Sequence, residues 1–151
     1  MTCTTHTTLP TVIDAVKALA HPGRLRILAM LRGGALCVCQ MTAVLELATS
    51  TVSSHLSDLR RAGFVTERKS GKWVHYHLVE AGPLSDLARQ ALRLVDGDDR
   101  LAQDAQVVDA LRKFPLDTFC SAGFDWQAGA APPRAAAKRP RSRPSSTRRH
   151  A

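Results

Sequence analysis

At 151 residues and 16.4 kDa, 44% hydrophobic and 23% charged, the chain has the makings of one soluble globular domain with some surplus. No apolar run approaches the roughly 20 residues of a membrane span, and the threonine-rich start, Met1 to Pro10, lacks the apolar stretch of a signal peptide. These features predict a cytoplasmic protein whose cysteines, Cys3, Cys37, Cys39 and Cys120, are reduced thiols and not a disulfide framework. The net charge of +8 is unevenly spread: Arg134, Lys138, Arg139, Arg141, Arg143, Arg148 and Arg149 crowd into the last twenty residues, with no acid among them. The first 131 residues carry 14 Lys or Arg against 13 Asp or Glu, which excludes a uniformly basic fold.

Helical spacing begins at Val12, after a flexible arm over residues 1–11, and runs through Val16 and Leu19. Pro22 suits the first turn of a second helix carrying Leu25, Leu28 and Leu31, which Gly33-Gly34 ends. A short helix follows through Met41, Val44 and Leu45. Ser50 reads as the N-cap of the next, with Val52, Leu56 and Leu59 on its inner face and Gly63 closing it. The period then changes. Phe64 to Arg68 and Trp73 to Leu78 flank Lys69-Ser70-Gly71-Lys72, a turn of hairpin length; Val74, Tyr76 and Leu78 should face one way, Trp73, His75 and His77 the other. Pro83 opens a helix with a Leu84–Val95 apolar stripe, completing a domain over 12–95, and an additional C-terminal helix is expected within 96–117. The remainder, 118–151, is rich in Ala, Pro, Ser and Arg; such a composition cannot repay the entropy of ordering and predicts a disordered basic tail.

Two short helices joined by a tight turn and followed by a β-hairpin make a winged helix-turn-helix, a mainly α fold with a small hairpin. The helix from Ser50 to Ala62 would be its recognition helix. With Val52, Leu56 and Leu59 inward, Ser50, Ser54, Ser57 and Arg61 point outward, with Thr51 and His55 on the flanks. Hydroxyls and arginine there can bond phosphates or base edges. Arg68, Lys69 and Lys72 at the hairpin tip suit a phosphate contact. The candidate DNA-binding set is therefore Ser50, Thr51, Ser53, Ser54, His55, Ser57, Arg60, Arg61, Arg68, Lys69 and Lys72, with Asp58 and Glu67 tempering the local field.

Five segments in order, His21-Pro22-Gly23-Arg24-Leu25-Arg26-Ile27-Leu28, Leu36-Cys37-Val38-Cys39, Ser50-Thr51-Val52-Ser53-Ser54-His55-Leu56, Leu59-Arg60-Arg61-Ala62-Gly63 and Gly71-Lys72-Trp73-Val74-His75-Tyr76, resemble the ArsR/SmtB family of metal-responsive repressors. The likeness covers about residues 12 to 79, and the wing is most similar to that of arsenite-responsive members. It implies a homodimer, built on the first helix and the Leu84–Val95 helix, that binds a palindromic operator and lets go when As(III), or Sb(III), is bound by cysteine thiolates.

Cys37-Val38-Cys39 carries that chemistry, because thiolates suit soft ions. On an ideal helix, residues at i and i+2 point about 200° apart, so this pair could share an ion only if the start of the short helix unwound. The expectation is a switch in which binding deforms the helix before the recognition helix. As(III) prefers three thiolates. In some arsenite sensors of the family the third follows three residues on, where this chain has Thr42; the position after the second cysteine, usually acidic, is Gln40. Cys3, near His6 on the N-terminal arm, is the leading candidate for the third ligand, since related cadmium and lead sensors use an arm cysteine; Cys120 is the alternative.

Two small buried cysteines would be the bland reading of the pair. Within the same fold, a Cd(II), Pb(II) or Zn(II) sensor or a regulatory disulfide is the runner-up; Arg89 to Asp104 holds no histidine for a zinc site of the family's C-terminal kind. A thiol oxidoreductase would need a basic cluster around an activated cysteine, absent around Cys37. A DNA-packaging protein would depend on the tail. No organic cofactor motif and no nucleophile–base pair is present, so the reading is of a regulator and not an enzyme.

Overall fold

The computed structural model describes residues 7–121. The first two helices begin where a side chain accepts a free N–H group. The Thr8 hydroxyl accepts the Thr11 N–H at 3.4 Å, so α1 (Leu9–Leu19) starts three residues before Val12, with Pro10 in its first turn. His21 Nδ1 accepts the Gly23 N–H at 3.1 Å and caps α2 (Pro22–Leu31). The pair α3 (Val38–Leu45) and α4 (Thr49–Arg61) follows, joined through Glu46, whose φ of 56° puts a non-glycine residue in the left-handed region. Ala48, not Ser50, holds the cap position of α4; Ser50 lies inside the first turn and faces solvent.

The expected hairpin is present, but it has a third strand. Strands β1 (Leu36–Cys37), β2 (Val65–Ser70) and β3 (Trp73–Leu78) form an antiparallel sheet in the order β1-β3-β2. The hairpin register runs from Val65 opposite Leu78 to Ser70 opposite Trp73, and Gly71, at φ 58°, supplies the left-handed turn. On the other edge of β3, Leu36 lies opposite Tyr76 and Cys37 opposite His75. The alternation expected along β3 is blurred: Tyr76 and Leu78 pack on the core, while Val74, toward the tip, extends past it and is exposed.

Three helices complete the chain: α5 (Pro83–Leu94), α6 (Asp99–Leu111) and α7 (Leu116–Phe119). Asp98 caps α6, its carboxylate accepting the N–H groups of Arg100 and Leu101 at 2.9 and 3.1 Å. Ile27, Leu28, Leu36, Met41, Leu56, Leu59, Phe64 and Leu111 are fully buried at the centre. Helix α6 is held over α2 and α3 by a two-pronged ion pair. Arg26 Nε donates to Asp104 Oδ2 at 2.6 Å and a terminal nitrogen to Oδ1 at 2.8 Å, while the same guanidinium reaches the Val44 carbonyl. Phe119 is buried in the same core, so the fold continues past residue 118, where the tail was expected to begin. The arm positions Cys3 and His6 and the basic run from Arg134 to Arg149 lie outside the described residues.

Candidate thiol site and nucleic-acid interface

Strand β1 decides the geometry of the cysteine pair. Cys37 ends that strand with φ −91° and ψ 166°, so it stands in extended backbone as the N-cap of α3, while Cys39 lies in the first helical turn. The 200° divergence of an i, i+2 pair on a helix therefore does not apply, and no unwinding is needed for the two sulfurs to converge. Gln40 fixes this arrangement: its buried side-chain carbonyl accepts the Cys37 N–H at 3.0 Å.

The third thiol comes from the far end of the fold. Cys120 caps α7, its N–H bonded to the Leu116 carbonyl at 2.8 Å, and its sulfur lies 3.8 Å from that of Cys37 across 83 residues of chain. The sulfurs of Cys37, Cys39 and Cys120 all lie within 4.8 Å of one another, the sole group of three potential metal-ligating side chains of this kind among the described residues. Cys37 is buried, Cys120 half-buried and Cys39 exposed, so the cluster is open on one side. Burial pushes the Cys37 thiol above its usual pKa. Burial also pushes Cys120 up, reinforced by its hydrogen bond to Cys39 and the neighbouring sulfurs. Both are therefore neutral thiols at pH 7. Thr42, where the family pattern would place a third cysteine, keeps its hydroxyl buried without a hydrogen-bond partner among the described residues.

The candidate DNA-contacting residues fall on one side of α4 and on the wing. Ser50, Thr51, Ser54, Ser57, Arg60 and Arg61 are exposed and Ser53 is half-buried, while Val52, Leu56 and Leu59 are in the core. His55 is the exception. It is buried at 9% exposure, with its ring 4.4 Å from that of His21 and against Gly23, so it packs α4 on α2 and does not belong to the outward face. Arg60 pairs with Glu67 at 2.6 Å, joining the end of the helix to β2; Arg61 lies 3.6 Å from Asp58, which also receives Arg24. Arg68, Lys69 and Lys72 are exposed on the wing. The Lys72 ammonium is paired with Asp117 of α7 and stands 5.0 Å from the centroid of the Trp73 ring. Neither Asp117 nor β1 was read from the sequence. The available signal was Pro115 followed by Leu116 and Phe119 at helical spacing, enough for one turn that brings Cys120 inward.

Mostly helical, with a three-stranded wing behind a helix pair, the molecule has a winged helix-turn-helix fold. Residues 21–67 match the family described as bacterial regulatory protein, arsR family. ArsR1, an arsenic resistance transcriptional regulator of Pseudomonas putida, is 46% identical over 63 residues, 41% of this chain and 49% of the relative. ArsR2 of the same organism is 31% identical over 107 residues, covering 61% of this chain and 93% of the relative. The homodimeric winged helix-turn-helix DNA-binding domain Mb0332 of Mycobacterium bovis superposes with a TM-score of 0.50 at 34% identity, over 62% of this chain and 83% of that one. The chain thus spans about half the length of the first of these relatives and nearly all of the second. It belongs to the arsR family of bacterial regulatory proteins. Such proteins are DNA-binding regulators and not enzymes.

Proposed function

We propose that this chain is a repressor that binds operator DNA as a homodimer and releases it when As(III), or Sb(III), is captured by Cys37, Cys39 and Cys120. The convergence of those three sulfurs within 4.8 Å carries the reading. Its chemistry favours a trivalent hydroxide over a divalent cation. Arsenous acid exchanges three hydroxides for three thiols: three As–O bonds break, three As–S bonds form, and each thiol proton leaves with a hydroxide as water. The product is neutral and nothing is oxidised or reduced. A bare divalent cation would instead displace three protons and leave a net charge of −1 on the complex.

The DNA-facing set is Ser50, Thr51, Ser53, Ser54, Ser57, Arg60, Arg61, Arg68, Lys69 and Lys72. The homodimer is supported by apolar side chains left exposed on α1 and α5: Leu9, Val12, Ile13 and Val16 on the first, Leu94 on the second. The names of the arsenic-resistance relatives support the inducer class. In the described residues no helix is long and apolar enough to cross a membrane.

The test is arsenite titration of the reduced full chain, followed by ultraviolet sulfur-to-arsenic absorbance and by release of a fluorescent operator duplex. One arsenite per protomer, lost in Cys120→Ser and retained in Cys3→Ser, is the expected result. Retention in Cys120→Ser with loss in Cys3→Ser moves the third ligand to the N-terminal arm. Release by Cd(II) alone replaces the inducer.

A further inference from the structure

Helix α7 carries two features three residues apart, and each reaches a different functional region. Asp117 pairs with Lys72 at the tip of the wing, and Cys120 joins the sulfur cluster at the root of α3. Residues three apart on a helical turn share one side, so α7 bridges the cluster and the wing as a single short lever. A second connection runs in parallel, because Cys37 is itself a register partner of His75 in the wing strand β3.

Of the three wing-tip cations, Lys72 alone has a carboxylate partner among the described residues. Both members of the pair are largely exposed, at 68% and 70%. A pair so hydrated is weak by itself and would yield to a DNA phosphate competing for the ammonium. It gains if α7 is anchored nearby, because a tethered carboxylate acts at a high effective concentration. A covalent S–As bond at Cys120 would provide that anchor.

Resting on the arsenite reading above, we infer that Asp117 is the effector residue of the switch: ligand capture at Cys120 pins α7 against the wing, and Asp117 then withholds Lys72 from the DNA backbone. Without the S–As bond, α7 is held by packing alone, and a DNA phosphate can draw Lys72 away from Asp117. The structure, with its three sulfurs gathered and Lys72 paired, already holds the contacts that a bound ligand would lock. Asp117 also brings a negative charge to the tip, so the same movement removes an attraction and adds a repulsion. Linkage requires the converse, that DNA weakens arsenite binding by the factor by which arsenite weakens DNA binding.

The test uses the reduced full chain, sodium arsenite and a fluorescent duplex selected from a random pool by the wild-type protein. Arsenite binding is read by absorbance, and DNA affinity is read by anisotropy over a range of salt. In the wild type, arsenite should lower DNA affinity and flatten the salt dependence by about 0.9 in log–log slope per protomer, one phosphate contact each. Asp117→Asn should keep the absorbance but show no change of slope, leaving DNA affinity in arsenite several-fold above wild type. Asp117→Glu, which keeps the charge, should restore the wild-type response. Lys72→Gln should start with the flatter slope and not change on adding arsenite; this arm decides the matter if Asp117→Asn fails to fold. An equal slope change in Asp117→Asn and wild type, or none in wild type, overturns the inference and leaves the arsenite reading standing. Absence of absorbance in the wild type overturns the arsenite reading, and this inference with it.

Discussion

The three cysteines are not equivalent, and their differences are testable. Cys37 is held by the Gln40 cap, Cys120 by a turn of α7, and Cys39 faces solvent on the first turn of α3. If the three thiols hold arsenite as proposed, serine at any one of them removes a ligand. Arsenite affinity should then drop by more than the 10–100-fold typical of losing a supporting outer-shell group, with DNA affinity in the absence of arsenite unchanged. Normal induction in Cys37→Ser would place the site elsewhere. His55 yields a prediction of another kind. Burial lowers its pKa, with the nearby His21 and Arg24 adding to the effect and Asp58 opposing it. Below pH 6.5 the unfolded chain therefore binds a proton that the folded chain resists, so stability is full above that pH and falls as pH drops toward the folded value. A melting temperature that declines from pH 6.5 to 5, and declines less in His55→Gln, is the expected result. The position is legible in the sequence: residue 55 is three beyond Val52 and four before Leu59, both core residues.

Among elements, the long periodic ones were legible and the short ones were not. Helices α1 to α6 each follow an apolar stripe or a capping residue that the sequence displays, and the Gly71 turn marks the hairpin. Strand β1 is two residues long, and α7 is a single turn; neither gives a period to count, yet together they assemble the cysteine cluster. The pair at 37 and 39 was visible as candidate ligands, whereas its convergence depended on Cys37 belonging to a strand. The ion pair between α2 and α6 was equally invisible, since Arg26 and Asp104 are 78 residues apart. Asp104 is 5% exposed, and removing its charge by Asp104→Ala leaves Arg26 without its partner. A loss of about 3–5 kcal/mol is expected in urea unfolding. On α4, Arg61→Ala and Ser54→Ala should each cost roughly 1–3 kcal/mol of discrimination if they read bases. Lys72→Ala should weaken all sequences alike.

At the scale of the molecule, the apolar residues exposed on α1 and α5 fit the proposed dimer. Leu9 is 74% exposed and Leu94 88%, too much apolar surface to leave in water beside Val12, Ile13 and Val16. Val16→Glu should give monomers in sedimentation equilibrium and lose most operator affinity, since paired half-sites need paired readers. The 83-residue separation of Cys37 and Cys120 has a consequence of its own. A ligand bonded to both closes everything from β1 to α7 into one loop. By the chain-entropy reckoning used for disulfides, a closure of that length removes about 4–5 kcal/mol of freedom from the unfolded state. Inducer should therefore act as a staple. Arsenite should lengthen the chain's half-life under chymotrypsin, and a nick between the two cysteines should leave the fragments joined until a dithiol strips the metalloid away. The signal that empties the operator would then also lengthen the lifetime of the regulator, prolonging the response after free arsenite has fallen.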